Sequence, residues 1–225
     1  EIASCLVGSE MCIRDRTMGD TLIRTTPDDP RAQRLLQSLD AEYAQRYGEF
    51  RSTTASNGPS EVNRYPPQAF VPPLGDFLLL IRDGQVIAGG AYMSHDDETV
   101  EIKRVWTDSA WRRQGLSRIV MAALEESAVR QGYTRAYLST GFRQPEAFAL
   151  YVSLGYRPLF DTTVDLALFR SLPFEKHIGR RAGPLAETPW REVSSTLEAA
   201  TQLVARIKDE QEKKILARVA RHRQA

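Results

Sequence analysis

Cysteine is almost missing from this chain. Of its 225 residues only Cys5 and Cys12 are cysteines, and both fall before Met18. The rest carries no thiol, which excludes a disulfide framework, a thiolate metal cluster and a cysteine nucleophile. Histidine is nearly as scarce. His95, His177 and His222 are scattered without the spacing of metal ligands, so no metal site is expected. An excess of one charge is also lacking: 30 Lys and Arg face 29 Asp and Glu, a net charge of +1. That gives no global field for nucleic acid or an anionic membrane, and neither partner is expected. No apolar run approaches the roughly 20 residues that span a bilayer. With no secretory pattern and no structural cysteines, the cytoplasm is the default location.

What is present is a chain with 42% hydrophobic and 26% charged residues, the balance of a soluble globular protein. Its length allows one ordinary domain plus an extension. The opening stretch EIASCLVGSEMCIRDRT has no clear element pattern. Its core, CLVGSEMCIRDR, resembles a translated sequencing-adapter fragment, and residues 1–17 are read as a non-native leader, with a genuine short N-terminal tail as the alternative.

The elements come next, by period and punctuation. DTLIRTT reads as a strand, and Asp28 or Asp29 can cap the helix after it. Leu35, Leu36, Leu39, Tyr43 and Tyr47 recur at helical spacing. Residues 51–75, rich in Ser, Thr, Asn, Gly and Pro, read as a long loop. FLLLIRDGQVIAGGAYMS is a hairpin turning at Asp83-Gly84. TVEIKRVWTD is a third strand, whose alternation puts Val100, Ile102 and Arg104 on one face and Glu101, Lys103 and Val105 on the other. Leu116, Ile119, Val120, Ala123, Leu124 and Ala128 form the stripe of an amphipathic helix that Gly132 ends. RAYLSTG is a strand, PEAFALYVSLG a short helix with Pro145 in its first turn, and YRPLF and DLALFRSLPF are closing strands. The helix between the strands at 99–108 and 135–141 implies that those two are parallel. The fold class is α/β or α+β, with a mixed sheet.

Past Gly183-Pro184 strand signals stop. Trp190, Val193, Leu197, Ala200, Val204 and Ile207 alternate three and four apart, and Ile215 and Val219 continue loosely. The segment 184–225 reads as one long helix or two. Its stripe either packs on its own domain or serves a homodimer.

One stretch points to chemistry. A strand ending near Thr107 turns through DSAWRRQGLS into the amphipathic helix. The first amides of a helix lack partners inside it and carry partial positive charge. Gly115 lets an anion approach the backbone without a Cβ in the way, Ser117 is small, and Arg112 and Arg113 can add charge-assisted contacts. This describes a diphosphate cradle. The Walker pattern G-x-x-x-x-G-K-S/T and the dinucleotide fingerprint G-x-G-x-x-G are both absent.

Arg112-Arg113-Gln114-Gly115-Leu116-Ser117 resembles the R/Q-x-x-G-x-G/A pyrophosphate loop of the GNAT superfamily of acetyl-coenzyme A-dependent N-acetyltransferases. AFALYVSLGYRP resembles that family's A-x-x-L-Y-x-x-x-G-F/Y segment, and FVPPLGDFLLL resembles one bacterial branch. The resemblance covers about residues 18–180 and implies a mostly antiparallel sheet of six to seven strands flanked by helices, with 184–225 as a helical extension. It implies acetyl-coenzyme A as co-substrate. The strand backbone at Val105, Trp106 and Thr107 would hold the pantetheine arm. The loop Arg112, Arg113, Gln114, Gly115, Leu116, Ser117 and Arg118 would hold the pyrophosphate. Tyr151 would protonate the leaving thiolate, and Glu101 would be the catalytic carboxylate; read from the strand alone, Glu101 is equally a solvated carboxylate paired with Lys103 or an arginine of a neighbouring strand. Two departures stand out: Ser117 replaces Gly or Ala, and Gln144 stands where the family often has asparagine, as a further coenzyme A contact.

Acyl transfer to an amine needs a neutral nucleophile. A shielded strand carboxylate such as Glu101 is expected to have its pKa raised toward the working pH. With no thiol, direct transfer in a ternary complex to a small-molecule primary amine is expected. A protein or peptide acceptor and a non-catalytic acetyl-coenzyme A sensor are the alternatives. Tyr43, Tyr47, Phe50, Arg64, Tyr65 and Phe142 are candidates for the acceptor pocket.

Overall fold

The computed structural model describes residues 19–48, 62–181 and 190–223. The expected leader and Phe50 lie outside these residues. In chain order the elements are β1 (Thr21–Thr25), α1 (Gln33–Tyr47), β2 (Gly75–Arg82), β3 (Gln85–Ser94), β4 (Thr99–Thr107), α2 (Leu116–Arg130), β5 (Arg135–Gly141), α3 (Pro145–Ser153), β6 (Arg157–Pro158), β7 (Ser171–His177) and α4 (Leu197–His222). The strands form one sheet in the order β1-β2-β3-β4-β5-β7-β6. The β4–β5 pair is parallel, as the helical crossover requires, and the other pairs are antiparallel.

Local chemistry explains the boundaries. Asp29 accepts from the amide of Arg31 at 2.8 Å, capping a tight turn begun by Pro30 that runs into α1. Thr196 accepts from the amide of Ala199 at 3.1 Å and starts α4. The C-terminal segment is therefore one helix from Leu197. Trp190 and Val193, expected within its stripe, precede it and are exposed. A second expectation also changes. DLALFRSLPF is not one strand: Asp165 caps a single turn at Leu166–Leu168, Arg170 reverses the chain at φ 58°, and β7 starts at Ser171.

The sheet is covered on both faces. Leu78 and Leu80 of β2 join a core under α2 and α3. Phe77 and Leu79 join a second core with Leu35, Leu36 and Leu39 of α1. A strand buried on both sides has to read as a continuous apolar run, which FLLLI does. The second core also takes Ile215 and Val219, so the α4 stripe packs within the chain, while Leu197 and Leu216 are exposed. Arg64 bridges to Asp209 and Glu212, and Arg218 to Asp97, holding α4 down. None of the helices among the described residues is long and apolar enough to cross a membrane.

Candidate active site

The site begins with an irregularity in β4. The β3–β4 register shifts between Gly89 and Ala91, and Arg104 opposite has φ 58°. Such a bulge inserts one residue and bends its strand. It also breaks the simple alternation. Arg104 stacks over Phe70 of the second core, with its carbon Cζ 3.9 Å from the ring centroid, while Val105 packs on the first core. Both side chains lie on the face opposite to that expected from period two.

The β4–β5 ladder runs from Thr99 and Arg135 only to Ile102 and Leu138. Beyond it the strands part. Lys103, Arg104 and Val105 line one side of a cavity of about 380 Å³, and Ser139, Thr140 and Gly141 line it from β5. The cavity side of β4 therefore has backbone groups without a β5 ladder past Ile102. Asp40, Tyr43 and Tyr47 of α1 and Val204, Ala205 and Lys208 of α4 complete the walls.

At the end of β4 the chain turns into α2. Asp108 accepts from the amide of Ala110 at 2.9 Å and holds the turn. Arg113 and Gly115 both have positive φ, 65° and 77°, and Gly115 immediately precedes the helix. A left-handed residue is nearly cost-free for glycine, which answers why Gly115 stands there. No atom lies within 4 Å of where its Cβ would be, so the backbone faces open space. Arg118 donates to the carbonyl of Gly115 at 2.9 Å, the start of the helical pattern. The amides of Leu116 and Ser117 precede it and have no helical partner. This geometry fits an anion held by backbone amides. The side chains of the loop have partners within the chain. Arg112 turns back to Glu42 at 3.1 Å and Arg118 donates to Ser153 at 2.8 Å. Gln114 accepts from Arg82 at 2.9 Å, and Arg113 is exposed. Ser117 shares a 2.9 Å hydrogen bond with Thr107, tying the helix start to the strand end. Trp106 and Leu116 are buried in the two cores, so only their backbones face the loop.

Tyr151, on α3, lines the cavity while its ring packs on Tyr156 and Phe174, with centroids 6.0 and 5.8 Å away. Its hydroxyl makes no hydrogen bond among the described residues. Burial alone pushes its pKa up to about 12. Gln144 also lines the cavity. Its side-chain oxygen accepts from Thr140 Oγ1 and the Gly141 amide, both at 3.0 Å, which secures the β5–α3 turn.

Glu101 departs from expectation. It is buried but does not line the cavity. Its carboxylate lies 3.0 Å from the Lys103 ammonium and 4.0 Å from His95 Nδ1. Burial pushes the carboxyl up, but Lys103 and then His95 more than offset this and hold it below its ordinary value. The expected raised pKa is corrected: a cation placed against the carboxylate outweighs desolvation.

Of the acceptor candidates, Tyr43, Tyr47, Arg64 and Phe142 line the cavity, and Tyr65 is buried in the second core. Sequence reasoning missed Lys103, Arg104, Arg170 and the α4 wall of Thr201, Val204, Ala205 and Lys208. Only the small residues at 201, 204 and 205, spaced three and four apart, could have signalled a helix face against a cavity. Among the described residues no group of three or more His, Cys, Asp or Glu is placed to hold a metal.

Comparisons with known proteins bear on this geometry. The acetyltransferase (GNAT) family matches residues 36–156, more than half of the chain. Human N-acetylaspartate synthetase is 34% identical over 87 residues, which are 38% of this chain and 29% of that protein. The chain thus spans about three tenths of the length of that relative. The N-acetyltransferase YjgM of Escherichia coli K12, whose activity is uncharacterised, is 26% identical over 140 residues, 59% of this chain and 78% of that protein. A proposed acyl-CoA N-acyltransferase from Klebsiella pneumoniae superposes with a TM-score of 0.53 at 25% identity, covering 71% of this chain and 98% of that one. The splayed strands, the amide loop at Gly115 and the tyrosine at 151 thus occur in a chain that belongs to the acetyltransferase (GNAT) family.

Proposed function

We propose that the protein transfers the acetyl group of acetyl-coenzyme A directly to a primary amine of a small molecule. The observation that carries this is the continuity of the site. The amide loop at Gly115 and the parted backbone of β4 lead to a cavity that Tyr151 also lines. The loop suits a pyrophosphate, and the unladdered edge of β4 past Ile102 suits a pantetheine arm. Thr201, Val204, Ala205 and Lys208 of α4 wall one side of the cavity, which supports a small acceptor.

In this reading the neutral amine attacks the thioester carbonyl carbon. The carbonyl oxygen gains charge, which a β4 amide such as that of Val105 stabilises. The carbon–sulfur bond then breaks, the thiolate takes a proton from the Tyr151 hydroxyl, and the phenolate regains one from water. A phenol with pKa near 12 is fully protonated at neutral pH and so has that proton to give. Glu101 reaches the cavity only through Lys103, and its lowered pKa makes it a weak base. We assign the amine's proton to water instead, with Glu101 fixing Lys103 in the cavity wall. Coenzyme A release across an amine panel tests the reading. Cofactor binding without turnover on any amine would leave a sensor.

A further inference from the structure

Among the described residues that line the cavity, Asp40 is the one acid. Five bases line it as well: Arg64, Lys103, Arg104, Arg170 and Lys208. Each of the five already has a partner within the chain. Arg64 meets Asp209 and Glu212, and Lys103 meets Glu101, so acids outside the wall offset part of its positive charge. Asp40 differs. It is half-buried on α1, and its carboxylate makes no hydrogen bond or ion pair among the described residues. Glu42, two residues on, is taken up by Arg46 and Arg112. A carboxylate withdrawn from water and left without a partner is costly, and a cation beside it removes that cost.

The helix decides what stands next to Asp40. At about 100° per residue, Asp40, Tyr43 and Tyr47 fall within about 60° of one another on α1. All three line the cavity. Tyr47 is fixed in place: its hydroxyl accepts from the Arg143 amide at 3.1 Å, and its ring lies 5.8 Å from that of Phe142. Tyrosine rings attract a cation through their faces, and the carboxylate offers it a charged hydrogen-bond acceptor. Together they make a seat for an ammonium group.

That ammonium is not the nitrogen that reacts. The attacking amine has to be neutral, whereas an ion pair with a carboxylate holds an amine in its charged form. On the acetyltransferase reading, we propose that the acceptor is a diamine, or another amine with a second, non-reacting cationic group, and that Asp40 binds that group. One nitrogen is then held on α1 while the other is presented to the thioester. The choice of acceptor rests on a side chain of the first helix, apart from the amide loop and strand edge that suit the cofactor.

Matched amines test this: 1,3-diaminopropane against propylamine, putrescine against butylamine and cadaverine against pentylamine, with γ-aminobutyrate added. At least one diamine should show a kcat/KM about tenfold or more above its partner, the worth of one charge-assisted hydrogen bond. Asp40→Asn keeps the shape and removes the charge. It should raise KM for that diamine about tenfold at unchanged kcat, collapse the preference, and spare both Tm and the Kd for acetyl-coenzyme A. Asp40→Glu should keep part of the preference. Monoamines or γ-aminobutyrate used as well as the diamines overturn the proposal. So does an Asp40→Asn variant that keeps the preference. A variant that lowers kcat for both members of a pair alike overturns it too, since Asp40 would then serve the reacting nitrogen. If acetyl-coenzyme A itself does not bind, the acetyltransferase reading fails and takes the inference with it. If it binds and none of the amines turns over, calorimetry with putrescine on the acetyl-coenzyme A-saturated protein decides. Binding that Asp40→Asn weakens about tenfold supports the seat, and absence of binding overturns it.

Discussion

The hydroxyl of Tyr47 occupies the space that a Cβ on Gly141 would fill. The same oxygen accepts a hydrogen bond from the amide of Arg143 at 3.1 Å, and the Tyr47 ring lies 5.8 Å from that of Phe142. The end of α1 is thereby clasped to the turn after β5, across the side of the cavity where β4 and β5 have parted. Gly141→Ala must push Tyr47 aside and should cost about 1–3 kcal/mol, as overpacking does. Adding Tyr47→Leu should recover much of that loss, measured by urea unfolding. Strictly additive losses would mean that the two positions do not touch.

Tyr151→Phe separates catalysis from folding. The hydroxyl has no hydrogen bond to lose among the described residues, so unfolding free energy should change by less than about 1 kcal/mol. Loss of a general acid should lower kcat about 100-fold or more at unchanged acceptor KM. With a pKa near 12, the tyrosine imposes no fall in rate between pH 6 and about pH 10. A variant that keeps its kcat would hand the proton to water.

Glu101 predicts an acid-dependent stability. Its folded pKa is lowered, so the ordinary unfolded value of about 4.3 lies above it. The carboxylate's contribution is then complete above the unfolded value and is lost as pH falls through the folded one. Glu101→Gln should unfold about 1–3 kcal/mol more easily at pH 7, with the gap narrowing below about pH 4. Thermal melts of both proteins at pH 7 and in the acid range provide the check. A gap of the same size throughout would refute the ion pair's role.

Gly115→Ala isolates backbone conformation from steric blockage. Nothing lies within 4 Å of the added methyl, so its effect comes from forcing a Cβ into φ 77°. The expected cost is about 1–2 kcal/mol, or a shift of the loop that misaligns its amides. Affinity for acetyl-coenzyme A should fall about tenfold by calorimetry, and Gly115→Asn should lose less because asparagine tolerates this region. Undiminished affinity would place the diphosphate elsewhere.

The amide loop was legible because it is a local feature. Arg112 to Ser117 are contiguous, they come after a strand and open a helix, and the conformation at Gly115 is set by one residue type. The faces of Arg104 and Val105 were not legible. They depend on a bulge that arises where β3 and β4 pair, and no residue within β4 announces it. Arg170 was hidden for a related reason: its strand reading failed at a reversal set by the Asp165 cap and a strained backbone.

The sequence by itself determined the element order, the parallel pair implied by its crossover, the glycine turn that opens α2 and the family. Each of these rests on period, punctuation or contiguous motif. The tertiary structure alone decided which groups meet. It buried Glu101 and brought His95 toward it beside its strand neighbour Lys103, and so decided that a pKa burial alone would have raised is lowered. It also laid α4 beside β4 and β5, although its cavity-lining Thr201, Val204, Ala205 and Lys208 begin about 60 residues past β5. Charge coupling and cavity shape depend on distances between segments remote in the chain, and those distances are fixed only when the two cores close.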